Sequence, residues 1–118
     1  MQKEDIFITK EFSFDSAHKL NWHKGKCKDL HGHTYKLYVT IKGNINKNGI
    51  VIDFIDLKNI VNKKVIDILD HKYINSIIKN PTAENISIWI WKQLEKELNL
   101  YEIKLYETPT SYITYRHK

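Results

Sequence analysis

The stretch from His33 to Ile45 constrains the fold more than any other part of the chain. Tyr35, Leu37, Val39, Ile41 and Ile45 share one parity, while Thr34, Lys36, Thr40 and Lys42 occupy the other. Side chains of a strand alternate between faces with a period of two, so this pattern predicts a half-buried β-strand over residues 33–45. His33 has the parity of the apolar set and is expected to point inward with it. Residues 6–14 alternate through Ile6, Ile8, Phe12 and Phe14, interrupted only by Lys10, and predict a preceding strand. Residues 44–49 are polar with a late glycine, the composition of a turn.

The pattern then changes to a helical one. Asp53 is a good N-cap, Asp56 favours the first turn, and Leu57, Ile60, Val61, Val65, Ile68 and Leu69 recur at three- and four-residue spacing. An amphipathic helix is expected over 54–69. Asn80-Pro81-Thr82 interrupts the chain, with Thr82 placed to cap a second helix over 83–98 that carries Ile86, Ile90, Trp91, Leu94 and Leu98. Residues 101–107 and 111–117 alternate again around Thr108-Pro109-Thr110, the signature of a hairpin. The order is ββααββ, an α+β architecture in one domain spanning residues 1–118. Trp22, Trp89 and Trp91 are expected to be packing residues. Two helices cover one face of a four-stranded sheet and leave its edges open, so association through sheet edges is expected.

Chemistry concentrates in Cys27-Lys28-Asp29-Leu30-His31-Gly32-His33. Residues i and i+2 at the start of a strand face the same way, so His31 and His33 can converge on one ion, with His18 upstream as a third ligand. Three histidines without a fourth protein ligand describe an open, catalytic metal site. Zinc suits imidazole and needs no redox control, while iron and nickel accept the same donors. Cys27 is either a small buried hydrophobe or, among Lys24, Lys26 and Lys28, a reactive thiolate beside the metal. Asp70-His71 at the end of the first helix is either a helix terminus with a favourable cation or a carboxylate-oriented proton-transfer group. Glu107 falls at the inward parity of its strand with Tyr101, Ile103 and Leu105. A carboxylate there needs a partner, either a lysine or the N–H donors of an aminopyrimidine-type ligand.

Composition narrows the classes. The 118 residues carry a net charge of +5, but Arg116 is the only arginine and no basic block appears, so a nucleic-acid partner is not expected. No apolar run is long enough to span a membrane, and Met1-Gln2-Lys3-Glu4-Asp5 lacks a basic region followed by an apolar stretch, so a secretory signal is not expected. One cysteine agrees with a reducing, cytoplasmic setting.

Six blocks in order carry a resemblance: 12–20 (Phe12-Ser13-Phe14-Asp15-Ser16-Ala17-His18-Lys19-Leu20), 27–35, 49–54, 69–71, 81–85 and 107–111. With them the chain resembles the 6-pyruvoyl-tetrahydropterin synthase family, and within it the bacterial 6-carboxytetrahydropterin synthases of queuosine biosynthesis. The resemblance implies the tunnelling fold, a four-stranded antiparallel sheet with two helices between strands two and three. It implies homo-oligomers, trimers stacked as hexamers, with active sites at subunit interfaces. It also implies zinc on His18, His31 and His33, and 7,8-dihydroneopterin triphosphate as substrate. Cys27 would be the general base, Asp70 and His71 would tune or relay its proton, and Glu107, helped by Thr82, would hold the pterin. Triphosphate and acetaldehyde would leave, giving 6-carboxy-5,6,7,8-tetrahydropterin. A pyruvoyl-forming synthase and a non-catalytic pterin- or metal-binding protein are the rival expectations. Ile50 replaces the family's usual methionine after the turn glycine, a packing change.

Overall fold

The computed structural model describes residues 5–117. Two long strands, β1 (Ile6–His18) and β2 (His31–Gly43), pair antiparallel along their whole length. α1 (Phe54–Val61) follows, capped by Asp53, whose carboxylate accepts the Ile55 N–H at 2.8 Å. It continues through one π turn (Asn62–Ile66) into α2 (Asp67–Leu69), so the expected 54–69 helix is a single rod with an irregular middle. A two-residue strand β3 (Lys72–Tyr73) leads on to α3 (Ala83–Leu94), and the chain ends in the hairpin β4 (Leu100–Thr108) and β5 (Ser111–Tyr115).

The sheet order is β3-β1-β2-β4-β5. Its four long strands are antiparallel, as expected. The fifth, β3, runs parallel to β1 through Ser16–Lys72 and Ala17–Tyr73 and has no sequence signal, because two residues show no periodicity. Leu57, Val61, Val65 and Leu69, spaced by four, are wholly buried. With Ile86, Ile90 and Leu94 of α3 they cover the sheet face made by Phe12, Phe14, Tyr35, Leu37, Val39, Ile103 and Leu105. Removing this much apolar surface from water is the main force holding the helices on the sheet.

Two expectations fail at strand ends and loops. Ile45 is 51% exposed, because β2 stops at Gly43 and the chain turns through Asn46–Gly49, with Gly49 at φ 84°. Trp22 is 61% exposed and hangs its indole N–H on Asn80 Oδ1 at 2.8 Å rather than packing inside, whereas Trp91 is buried and Trp89 packs against the core. The edge of β5 away from β4, and the edge of β1 away from β2 before Ser16, have no strand partner among the described residues.

Candidate metal and substrate site

The β1–β2 ladder assembles the histidines. Its register sets His18 directly opposite His31 and Ser16 opposite His33, so all three rings share the inward face at the end of the hairpin joined by the 19–30 loop. Directly opposed and diagonal residues on one face are within side-chain reach. The ring centroids lie 4.6–5.1 Å apart, and one ligating nitrogen from each falls within 4.8 Å of the others. Inward parity explains why His18 is wholly buried: Phe12, Phe14 and Ser16 precede it on the same face and are buried too.

Hydrogen bonds fix the tautomers of two rings. His18 Nδ1 donates to the Pro81 carbonyl at 2.8 Å, and His31 Nδ1 donates to the Asp29 carbonyl at 2.7 Å. A neutral imidazole that donates from Nδ1 keeps a lone pair on Nε2. The Nε2 atoms of His18 and His31 nevertheless face each other at 3.0 Å. His33 Nε2 is buried with no hydrogen-bond partner. Lone pairs so arranged repel unless a cation lies among them, and imidazole nitrogens with carbonyl-oriented rings are the usual dress of a zinc ligand. The donor set therefore fits zinc on His18, His31 and His33.

Glu107 completes the cluster. The β2–β4 register pairs Leu37 with Leu105 and Lys36 with Tyr106, and one further step sets Glu107 beside Tyr35, diagonal to His33. Its Oε1 lies 3.2 Å from His18 Nε2 and 3.4 Å from His33 Nε2. The partner that an inward carboxylate requires is thus the histidine cluster and not a lysine. Burial pushes His33 below the ordinary imidazole value, against the pull of the Glu107 charge. The contact with His18 holds the Glu107 carboxyl below its ordinary value, against burial and with help from His33. The first shift favours neutral imidazole at His33 and the second an ionised carboxylate at Glu107, the forms of these two groups that bind metals.

Asp70 and His71 lie in a second cluster. Asp70 caps the rod in extended conformation, and His71 takes φ 57°, the one positive value for a non-glycine among the described residues. His71 Nδ1 sits 3.0 Å from Asp70 Oδ2. The Asp15 backbone holds the pair from both sides: its N–H donates to Asp70 Oδ1 at 2.9 Å, and its carbonyl accepts the His71 N–H at 2.6 Å. The Asp15 N–H is the main cause that lowers the Asp70 carboxyl below its ordinary value. The Asp15 carboxylate in turn accepts the Thr34 hydroxyl at 2.5 Å.

Two cavities meet at the start of β2. One, of about 550 Å³, is lined by Asp15, His33, Thr34 and His71 among others. The other, of about 570 Å³, is lined by His33, Lys36, Tyr38, Tyr106 and Glu107 among others. Gly32, His33 and Thr34 are their common wall, so the histidine cluster reaches both through His33. Cys27 and Thr82 line neither. Cys27 lies in a 3₁₀ turn (Lys26–Lys28), partly exposed, and its carbonyl accepts the Leu20 N–H at 2.8 Å. The Thr82 hydroxyl caps α3 by accepting the Asn85 N–H at 3.1 Å.

The structure adds residues that sequence reasoning did not assign to the site. Tyr38 and Tyr106, with ring centroids 5.6 Å apart, wall the second cavity, and Asp15 clamps the Asp70–His71 pair. Their only signal was outward parity on a strand, which any solvent-facing residue shares.

The sequence profile of the 6-pyruvoyl tetrahydropterin synthase family matches residues 7–118. The chain is 42% identical to a 6-carboxy-5,6,7,8-tetrahydropterin synthase of Haemophilus influenzae, over 92% of this chain and 97% of that protein. It is 36% identical to a 6-pyruvoyl tetrahydrobiopterin synthase of Dictyostelium discoideum, over 94% and 96%. Its fold superposes on the 6-pyruvoyl tetrahydropterin synthase of Caenorhabditis elegans with a TM-score of 0.88 at 26% identity, covering both chains completely.

Proposed function

The chain belongs to the 6-pyruvoyl tetrahydropterin synthase family, and on that premise we propose that it is a zinc-dependent 6-carboxy-5,6,7,8-tetrahydropterin synthase acting on 7,8-dihydroneopterin triphosphate. The observation that carries this reading is the convergence of three imidazole nitrogens, two from rings whose Nδ1 is committed to a backbone carbonyl, with His33 in the common wall of two cavities.

His18, His31 and His33 hold the zinc. When bound, it supplies Lewis acidity to the hydroxylated side chain of the substrate and makes the adjacent C–H protons easier to remove. The pterin ring occupies the cavity walled by Tyr38 and Tyr106, where aromatic faces suit a flat heterocycle. Glu107 lies in the same wall and accepts two parallel N–H bonds from the amino-pyrimidinone edge, as an ionised carboxylate does well. Thr82 assists substrate binding. Cys27, as thiolate, takes the side-chain proton and becomes a thiol, with Asp70 and His71 tuning or relaying that proton. The electron pair left behind drives expulsion of triphosphate, and a later carbon–carbon cleavage by water, which gives its oxygen to the new carboxylate and a proton to the departing two-carbon fragment, releases acetaldehyde.

Cys27 and Thr82 stand outside both cavities within one chain, which favours a working site assembled between subunits. The unpaired edges of β5 and β1 favour a homo-oligomer, trimer or hexamer, joined through them. Among the described residues no helix is long and apolar enough to cross a membrane, and a small-molecule substrate in the cytoplasm, with neither nucleic acid nor membrane as partner, suits the scattered lysines.

Mass spectrometry of the products made by the zinc-loaded protein from 7,8-dihydroneopterin triphosphate tests the proposal. Carboxy-tetrahydropterin with acetaldehyde is expected. A pyruvoyl pterin without acetaldehyde would assign the activity of the Dictyostelium relative, and no turnover would leave a pterin- or metal-binding protein.

A further inference from the structure

Resting on the zinc assignment above, we infer that Glu107 is a fourth ligand of the metal in the substrate-free protein, and that substrate binding exchanges it off the ion and onto the pterin. The motivating geometry is the position of its carboxylate. Glu107 Oε1 lies 3.2 Å from His18 Nε2 and 3.4 Å from His33 Nε2, while His18 Nε2 is 3.0 Å from His31 Nε2. Atoms bound to one tetrahedral zinc at 2.0–2.1 Å stand roughly 3.3 Å apart. These three separations therefore match those of ligands sharing one ion, with the carboxylate on the His18–His33 side.

An ion pair of Glu107 with His18 alone accounts for this less well, because two contacts are left over: His18 Nε2 also faces His31 Nε2 at 3.0 Å, and Glu107 Oε1 also approaches His33 Nε2 at 3.4 Å. His33 Nε2, buried and without a hydrogen-bond partner, faces the same point.

The exchange follows from the shape of the ligand. The hydroxylated side chain and the amino-pyrimidinone edge lie at opposite ends of the pterin bicycle. One carboxylate cannot serve the metal and that edge together. The substrate hydroxyls thus take the position Glu107 leaves, and the freed carboxylate finds new N–H donors on the same molecule. A ligand bringing both groups completes the exchange, and one bringing only an aromatic ring does not. The site would discriminate for hydroxylated pterins in this way.

Co²⁺ reports coordination directly, without turnover. Metal-free full-length chain is titrated with Co²⁺ and its visible d–d bands recorded, alone and with neopterin, an unphosphorylated pterin carrying the hydroxylated side chain. The same is done for Glu107→Gln and Glu107→Asp. The wild-type protein is expected to show an intense spectrum that changes when neopterin is added. Glu107→Gln should bind Co²⁺ at least about tenfold more weakly, with altered bands, and Glu107→Asp should fall between the two. A thermal melt of each variant close to that of wild type shows that the fold is kept. Identical bands and affinity in Glu107→Gln would overturn the inference and leave the zinc assignment standing. Failure of the wild-type chain to bind Co²⁺ at all would overturn both.

Discussion

Two clusters of three potential ligands lie on either side of the β1–β2 hairpin end, and they differ in what their hydrogen bonds leave over. His18, His31 and His33 are buried or half-buried, with two Nδ1 atoms spent on carbonyls and the Nε2 atoms facing one another. Asp15, Asp70 and His71 also offer ligand atoms within 4.8 Å, but their groups satisfy each other: Asp70 takes the Asp15 N–H on one oxygen and faces His71 on the other. Proximity is the same in both. Only the first leaves lone pairs with nothing to meet them, which makes it the better candidate for a cation, whereas the second is a hydrogen-bonded chain suited to orienting a proton carrier.

The sharpest way to break this contrast is metal content. His31→Ala should weaken zinc binding by more than about 100-fold, leaving the purified protein nearly metal-free by mass spectrometry, while Asp70→Asn should retain a full complement. Equal losses in both would show that the two clusters share one ion. The next effect is on turnover alone: Cys27→Ala should lower it by about 100-fold, as loss of a general base does, with zinc content unchanged. Loss of zinc in that variant would move Cys27 from base to ligand.

The smallest effect concerns acid stability. The Asp70 carboxyl is lowered chiefly by the Asp15 N–H, so it releases its proton more readily in the folded chain than in the unfolded one. Its contribution is full above the unfolded value, near pH 4, and is lost as pH falls through the folded value. Melting temperatures measured from pH 6 down to pH 2 should therefore fall less steeply for Asp70→Asn than for wild type. An unchanged slope would mean that the clamp on Asp70 does not outlast thermal motion.

What could be read from the chain followed the range of the interaction. Helix caps at Asp53 and Thr82 and the four-residue stripe of the rod are local, and both caps stand as expected. The inward turn of His33 and Glu107 was legible for the same reason, because strand parity needs no partner. Ile45 shows the limit, since parity holds only while the strand lasts and β2 ends two residues earlier. Trp22 shows another: an aromatic in a loop obeys no period, and its position was settled by Asn80, distant in sequence.

By itself, then, the sequence determined the α+β order, the faces of its strands and helices, and the identity of the groups able to bind a metal or move a proton. Only the tertiary structure decided which groups meet. The register that sets His18 against His31, the Pro81 carbonyl that orients His18, the Asp15 backbone that clamps Asp70 and His71, and the turn of Glu107 toward the histidines all join residues far apart in the chain. Such pairings are selected by burial of the whole core and by the need to satisfy buried polar groups, and neither condition can be read from a window of neighbouring residues.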